Sequence, residues 1–432
     1  MNANSHKDTI NVGMLGLGTV GTGVAKILDA NAHNIAQKVG SPVVLKKVLV
    51  RDAAKPRQIK LAGLTTDPSA VIDDPDIDIV VEVMGGEEPA KGYIIRALKA
   101  GKHVVTANKD VVARHGRDLF AAAEENNVDL LFEASVGGGI PIIRPLKQCL
   151  AGNRIRQVMG IVNGTTNYML TKMTVDKSDY GAVLAEAQQK GYAEADPTAD
   201  VGGFDAARKI AILASIAFGT RVTLDDVYVE GITGITPQDI EYAGEFGYVI
   251  KLLAIAGETE CGVDVRVHPA VIAKTHPLAS VNDVFNAIFV KGDAVGETMF
   301  YGRGAGEMPT ASAVVADIID VARDIKHGVA SRVLCTCFDS KPICPIAQTE
   351  APYYIRLLVE DKPGVLAAIA GAFGCQHVSL NSVVQKRKVG DWAEIVLITY
   401  RVSDANMRLA LSTLGGMPVV NKISSVIRVV EE

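Results

Sequence analysis

Asp205 and Lys209 stand four residues apart in "GGFDAARKIAILASIAFG", residues 202–219, and at helical spacing they share one face. Lys209 leads to Ile212, Leu213 and Ile216 on the same stripe, so an ammonium is set among apolar side chains. An exposed lysine titrates near about 10.4, and desolvation on such a stripe would lower that value into the range useful for proton exchange. The plainer reading is a snorkelling lysine with its stem on apolar surface and Asp205 as a helix-start carboxylate. Arg208 leads instead to Ala211, Ile212 and Ser215, a milder face.

Four other stretches offer chemistry. Lys109 follows "HVVTAN" directly, where a side chain points into a ligand crevice or simply starts a surface helix. The turn Asn163-Gly164-Thr165-Thr166-Asn167 is rich in small donors and suits a carboxylate. The loop "GYAEADPTADVGGFDAARK" places Glu194, Asp196, Asp200 and Asp205 ahead of Lys209; capping and turn chemistry accounts for most of these acids. In "VGGGIP", residues 136–141, three glycines before a Pro-initiated helix expose backbone groups that can ligate a cation or approach a substrate.

The elements that must position these groups can be read from periodicity. An apolar strand, Ile10 to Leu15, runs into Gly16-Leu17-Gly18-Thr19-Val20-Gly21 and then a helix with Val20, Val24, Ile27 and Leu28 on one side. This is GxGxxG between strand and helix, the setting in which glycines admit a pyrophosphate to a helix N-terminus. The second strand ends at Arg51, with Lys55, Arg57 and Lys60 nearby, which favours the 2′-phosphate of NADP; Asp52 leaves room for NAD. Strands at 77–84, 103–108 and 128–135 alternate with helices, giving a doubly wound parallel sheet whose strand ends bring Met84, Thr106 and Lys109 to one crevice.

The expected organisation is a nucleotide-binding domain over 1–140, completed by a returning helix near 308–328, and an α+β substrate and dimerisation domain over 141–307. The glycine turn with Gly304 and Gly306 is expected to face the cofactor. A linker covers 329–350, and 351–432 reads as a βαββαβ ferredoxin-like module. It reads as a ligand-binding module, its ligand near the turn with Asp361 and Gly364 and the helix start at Val365 and Leu366, or as a pure dimerisation domain.

With 432 residues, 48% apolar and 22% charged, the chain can bury more than one core. A net charge of −5 gives no drive toward phosphate backbones, so nucleic acid is not an expected partner. Neither a bilayer-length apolar run nor a signal-peptide core is present, so a soluble, cytoplasmic chain is expected. The six cysteines, Cys149, Cys261, Cys335, Cys337, Cys344 and Cys375, then read as reduced thiols, and the cluster Cys335, Cys337 and Cys344, with no His or CxxC pair to complete a zinc site, as structural.

Together "GMLGLGTVG", "TANK", "FEASVGGGIP", "NGTTNYML", "GYAEADPTADVGGFDAARK" and "GRGAGEMPTA" resemble homoserine dehydrogenase over almost the whole chain, and "VEDKPGVLAAIAGAFG" with "VSLNSVVQ" resembles an ACT domain. The resemblance implies reversible reduction of L-aspartate 4-semialdehyde to L-homoserine with NAD(P)H, in the branch leading to threonine and methionine. It implies Lys209 as proton donor with Asp205 orienting it or binding the substrate amine, Lys109 as the second candidate, and the choice between the two lysines open. Glu194 matches the position that receives the substrate amine, and Asn163, Gly164 and Thr165 are assigned to its carboxylate. The family holds a monovalent cation, usually sodium, near Glu133 with the carbonyls of Val136, Gly138 and Ile140. It further implies amino-acid regulation, with threonine as the expected effector and Asp361, Gly364, Val365, Leu366 and Asn381 at its site, and a dimeric or tetrameric assembly. A dehydrogenase of a related amino-acid substrate and a catalytically silent NADP and amino-acid sensor are the competing readings.

Overall fold

Ile10, Val12 and Met14 alternate along the first strand and are fully buried, as are Leu15 and the strand at 79–82, because helices cover both faces of the sheet they form. The computed structural model describes residues 7–330, 332–333 and 335–431. They fall into two compact units, one of residues 1–155, 211–224 and 291–340, the other of 156–210, 225–290 and 341–432.

The first unit holds β1 (Ile10–Leu15), β2 (Val43–Leu49), β3 (Leu64–Thr65), β4 (Ile79–Glu82), β5 (His103–Thr106) and β6 (Leu130–Leu131), in the order β3-β2-β1-β4-β5-β6. All five pairings are parallel. One core cluster joins Val12, Met14 and Val81 to Val24, Leu28 and, from the helix Glu307–His327, Ala311, Val314 and Ile318. The other joins Leu15 and Val80 to Ile94, Leu98 and Leu119 from the opposite face. Gly23 explains the close approach on the first face: a Cβ there would meet the carbonyl oxygen of Glu307 at 2.7 Å.

Two elements are shorter than their sequences suggest. The strand expected over 128–135 is only β6, since Glu133–Ser135 turns into a short 3-10 helix and the Glu133 carboxylate caps amides further on. The helix expected to start at Pro141 begins at Ile143 and continues as a π-helical turn, Pro145–Cys149.

In the second unit, β7 (Ile155–Ile161), β8 (Tyr228–Val229), β9 (Tyr248–Thr259) and β10 (Gly262–Ala273) precede β11 (Phe285–Gly292); β12 (Gly296–Arg303) follows in the chain. After residue 350 come β13 (Glu350–Ala351), β14 (Tyr353–Glu360), β15 (Leu380–Val389), β16 (Trp392–Thr399), β17 (Val402–Ser403) and β18 (Val420–Val430), with helices Val365–Cys375 and Asp404–Gly415 between them. The order β11-β7-β9-β10-β18-β14-β16-β15 forms one continuous sheet, with β8 beside β10. The C-terminal module has its own core around Ile355, Leu357, Ile369, Phe373 and Leu397, yet its last strand pairs parallel with β10, Ala270 opposite Arg428.

The cysteines depart from the expectation of reduced thiols. Cys261 and Cys344 form a disulfide across 83 residues, while Cys149, Cys335, Cys337 and Cys375 are free. Two backbone bonds bring the segments together: Val263 donates to Pro342 O and Cys344 donates to Val263 O, both at 2.9 Å. No helix among the described residues is long and apolar enough to cross a membrane.

Candidate functional site

The helix Phe204–Phe218 puts Asp205 and Lys209 on one face, as their spacing requires. Lys209 Nζ donates to Asp205 Oδ2 at 2.6 Å and to the carbonyl of Val162 at 2.7 Å. Both side chains are 12% exposed. Lys209 is therefore a paired ammonium, neither a bare charge on an apolar stripe nor a lysine reaching into solvent.

Val162 lies at the end of β7, where the chain turns into the helix Gly164–Val175. Asn163 caps that helix, its Oδ1 accepting from Thr166 N at 2.9 Å. Its Nδ2 donates to Asp205 Oδ2 at 2.9 Å and to Asp200 Oδ1 at 2.7 Å. One amide thus gathers two carboxylates beside the lysine. Gly164 is needed for closeness, since a Cβ there would meet Val284 O at 2.9 Å. The turn is held from below by Asn167 and Lys251: Asn167 Nδ2 donates to the carbonyls of Val281, Asp283 and Phe285, and Lys251 donates to Asn167 Oδ1. Burial holds the Lys251 ammonium down at about 8.

Thr165 is half-buried and donates to Tyr192 O at 2.5 Å. Glu194 is exposed in the loop before the short helix Thr198–Val201, and its carbonyl accepts from Gln188. Gly203 (φ +86) lets the chain enter the helix beside β8; a Cβ there would meet Glu230 O at 3.2 Å. Asp200, which reads as turn chemistry in sequence, is a full member of this cluster, and only its bond to Asn163 reveals it.

In the first unit a cleft of about 580 Å³ is lined by Gly16, Leu17, Gly18, Arg51, Lys55 and Met84 among others. Gly16 has φ +104, a conformation that a side chain resists. A Cβ on Gly21 would meet Gly16 O at 2.4 Å, whereas one on Gly18 would meet nothing, so Gly18 opens toward the cleft where a pyrophosphate would lie. Thr19 and Val20 begin the helix Thr19–Ala30. The cleft is built to admit a dinucleotide. Arg57 turns inward, donating to the carbonyls of Asp52, Ala53 and Lys55, so it shapes the basic loop.

At the ends of β4 and β5, Glu82 is fully buried; its carboxyl accepts from Thr106 Oγ1 at 2.6 Å and from Met84 N at 2.8 Å. Burial pushes the Glu82 carboxyl up. Thr106 thus spends its hydroxyl on Glu82. Nothing in the sequence singled Glu82 out, because an acid at a strand end gives no sign of being buried. Lys109 is half-buried at the start of the helix Lys109–Glu125, which Asn108 caps while donating to Gly86 O at 2.6 Å.

The Glu133 carboxylate accepts from the amides of Ile142, Ile143 and Arg144 at 2.5 to 2.8 Å. Three backbone amides thus hold that carboxylate in place. Val136, Gly138 and Ile140 are buried, and Gly137 (φ 75) and Gly138 (φ 55) turn the chain so that several carbonyls lie close in sequence. Carbonyl oxygens of this kind suit a hard monovalent cation. Gly304 and Gly306 flank this loop: Gly139 N donates to Arg303 O, and a Cβ on Gly138 would meet Gly304 O at 2.3 Å.

In the C-terminal module Gly364 (φ +88) precedes the helix Val365–Cys375, and Leu366 is exposed at its first turn. Asp361 accepts from Gln385 at 3.3 Å and pairs with Lys388 at 3.2 Å, while Asn381 accepts from Ser382 at the start of β15.

Comparison with known proteins gives three family matches: homoserine dehydrogenase over residues 141–319, the homoserine dehydrogenase NAD binding domain over 16–133, and the ACT domain over 353–415. A homoserine dehydrogenase of Synechocystis is 49% identical, covering 98% of this chain and 99% of that protein. The crystal structure of a Thiobacillus denitrificans homoserine dehydrogenase superposes with a TM-score of 0.93 at 42% identity, over 98% of each chain. A hyperthermophilic archaeal homoserine dehydrogenase, solved in complex with NADPH, is 26% identical with a TM-score of 0.62, over 72% of this chain and 97% of that one.

Proposed function

The chain belongs to the homoserine dehydrogenase family, NAD(P)-dependent oxidoreductases of the CH–OH type, and on that premise we propose how its own residues carry the reaction. The observation that carries the proposal is the buried Lys209–Asp205 pair joined through Asn163 to Asp200. A nicotinamide held in the cleft lined by Gly16, Gly18 and Arg51 would supply the hydride for the aldehyde carbon and accept it in the reverse direction. Lys209 gives a proton to the oxygen as its charge develops and takes it back in the reverse direction. Two of its N–H groups are committed to Asp205 and Val162, and the third is assigned to the substrate oxygen.

Asp205 holds the ammonium in place, and Glu194 with Asp200 offers carboxylate to the substrate amine. The turn Asn163 to Thr165 supplies the partners of the substrate carboxylate. Lys109 is assigned to the cofactor side, and Lys109→Met tests it against Lys209 as donor.

The cofactor we assign is NADP, on the strength of Arg51 and Lys55 in the cleft and the NADPH bound by the archaeal relative. Backbone oxygens of Glu133, Val136, Gly138 and Ile140 would hold a monovalent cation such as sodium, which would stiffen the loop. We assign a threonine effector to the ACT module around Asp361, Gly364, Val365, Leu366 and Asn381, and a homo-oligomeric, cytoplasmic enzyme. The test is the initial rate of homoserine oxidation with NADP and NAD in parallel, each with and without threonine. A faster rate with NADP, suppressed by threonine, is expected. No turnover with either cofactor would overturn the reading, and threonine insensitivity would remove the effector assignment alone.

A further inference from the structure

The segment 335–337 carries two free thiols, Cys335 and Cys337, into one cavity of the first unit, lined also by the edge-to-face rings of Phe120 and Phe132. Two cations share that cavity. Lys147 Nζ lies 5.3 Å from both ring centroids, and Arg221 Nη2 is 3.5 Å from Cys335 Sγ. Among the described residues no carboxylate lines it; the others, such as Val112, Ile212 and Val222, are mostly apolar. Arg221 donates to the Cys335 sulfur, and a cation so placed favours the thiolate form.

Cys335 and Cys337, two residues apart, line the same cavity, and the Cys337 thiol donates to Ser215 O at 3.9 Å. On its other side Cys335 borders a second cavity with Glu124, which is exposed, and Asp129, which is paired with His103. The segment is anchored by Asp339 N, which donates to Gly219 O at 2.9 Å.

We propose that Cys335 and Cys337 form a reactive dithiol, a site of reversible oxidation by hydroperoxides separate from the dehydrogenase chemistry. Cys335 sulfur attacks the peroxide, the O–O bond breaks, and the departing oxygen takes a proton and leaves as alcohol or water. The sulfur is oxidised by two electrons to sulfenic acid while the peroxide is reduced by two. Cys337 sulfur then attacks that of Cys335; the S–S bond forms, the S–O bond breaks, and water leaves with the Cys337 proton.

The charges support the order of events. The neighbouring Cys337 thiol and the Arg221 guanidinium 3.5 Å away hold the Cys335 thiol below its ordinary value, while the neighbouring sulfur and burial push Cys337 up. Cys335 is the attacking sulfur and Cys337 the resolving one. The sequence showed the cysteines but not the cations: Lys147 and Arg221 are far apart in the chain and from each other.

The test uses the full chain and peptide mass mapping after iodoacetamide at several pH values, with exposed Cys375 as internal reference. At pH 6 Cys335 should be alkylated faster than Cys375, an advantage that should shrink in Arg221→Gln. Hydrogen peroxide should remove two hydrogens from the peptide carrying residues 335–337, reversibly with a thiol reductant. In Cys337→Ser a sulfenic acid should accumulate and be trapped by dimedone. Equal alkylation rates for Cys335 and Cys375, or a peptide that keeps both thiols after peroxide, would overturn the proposal without touching the dehydrogenase reading.

Discussion

Replacing Lys209 by Met keeps the stem and removes the charge, which separates the lysine's structural work from its chemistry. Its ammonium sits 2.6 Å from Asp205, with both side chains 12% exposed. Without it, Asp205 and Asp200 remain as two carboxylates bridged by the single amide of Asn163. Removing one partner of a buried pair costs about 3–5 kcal/mol, a large share of the roughly 5–15 kcal/mol that holds a protein folded. Asp205→Asn in the same chain removes the stranded charge, so the double variant should regain most of that loss in urea denaturation. Turnover should not follow. A positioned acid contributes roughly a hundredfold to ten-thousandfold, and neither the single nor the double variant has one. NADP affinity, read by fluorescence quenching, should stay within about twofold of the parent because the loss lies in the transition state. Turnover within about tenfold of wild type in Lys209→Met, or turnover that recovers together with stability in the double variant, would refute the reasoning.

Gly21→Ala should weaken dinucleotide binding at least about tenfold, measured by cofactor titration, because its Cβ would press on Gly16 O at 2.4 Å. His268 is fully buried, and burial with Arg428 and Arg266 nearby holds it well below its ordinary 6.5. The unfolded chain therefore binds a proton below that pH that the folded chain refuses, so stability should fall by about 1.4 kcal/mol per pH unit on acidification below 6.5. His268→Gln should flatten that slope, as read by urea midpoints across pH. Arg356 is buried between Asp239 at 2.8 Å and Glu394 at 2.7 Å, so Arg356→Met should cost about 3–5 kcal/mol in the same assay. Asn381→Ala should raise the threonine concentration needed for half inhibition while leaving the uninhibited rate within about twofold.

The sequence carries local pairings well and distant ones poorly. The i,i+4 spacing of Asp205 and Lys209 was visible because one helical turn fixes it. The bonds from Asn163 to Asp200 and Asp205 span 37 and 42 residues, and no periodicity encodes them. GxGxxG was legible because a strand, a tight turn and a helix follow one another without a gap. Glu82 was not, since its burial depends on Thr106, a neighbour only through the pairing of β4 with β5. The Cys261–Cys344 disulfide belongs with the missed pairings: its partners meet through a bridge between Val263 and Ile343, and compartment arguments say nothing of such geometry.

The C-terminal module shows the same limit with a larger consequence. Its alternation and turns predict βαββαβ with a separate core, and that core exists. Alternation cannot say what lies beyond an edge strand, and here β18 continues the sheet by pairing parallel with β10. Arg428 reinforces the joint, bonding Asp404 of the module and Glu230 beside β8, and stacking 5.0 Å from the Tyr228 ring. Glu230 N donates in turn to Val267 O of β10, and Ile232 N to Val201 O, four residues ahead of Asp205. Removing residues from 350 onward would therefore bare the edge of β10 and strip the segment 228–232 of its ion pair. Loss of activity in such a truncation would report a damaged catalytic sheet as readily as a lost regulator, which is why a single substitution such as Asn381→Ala is the sharper probe of regulation.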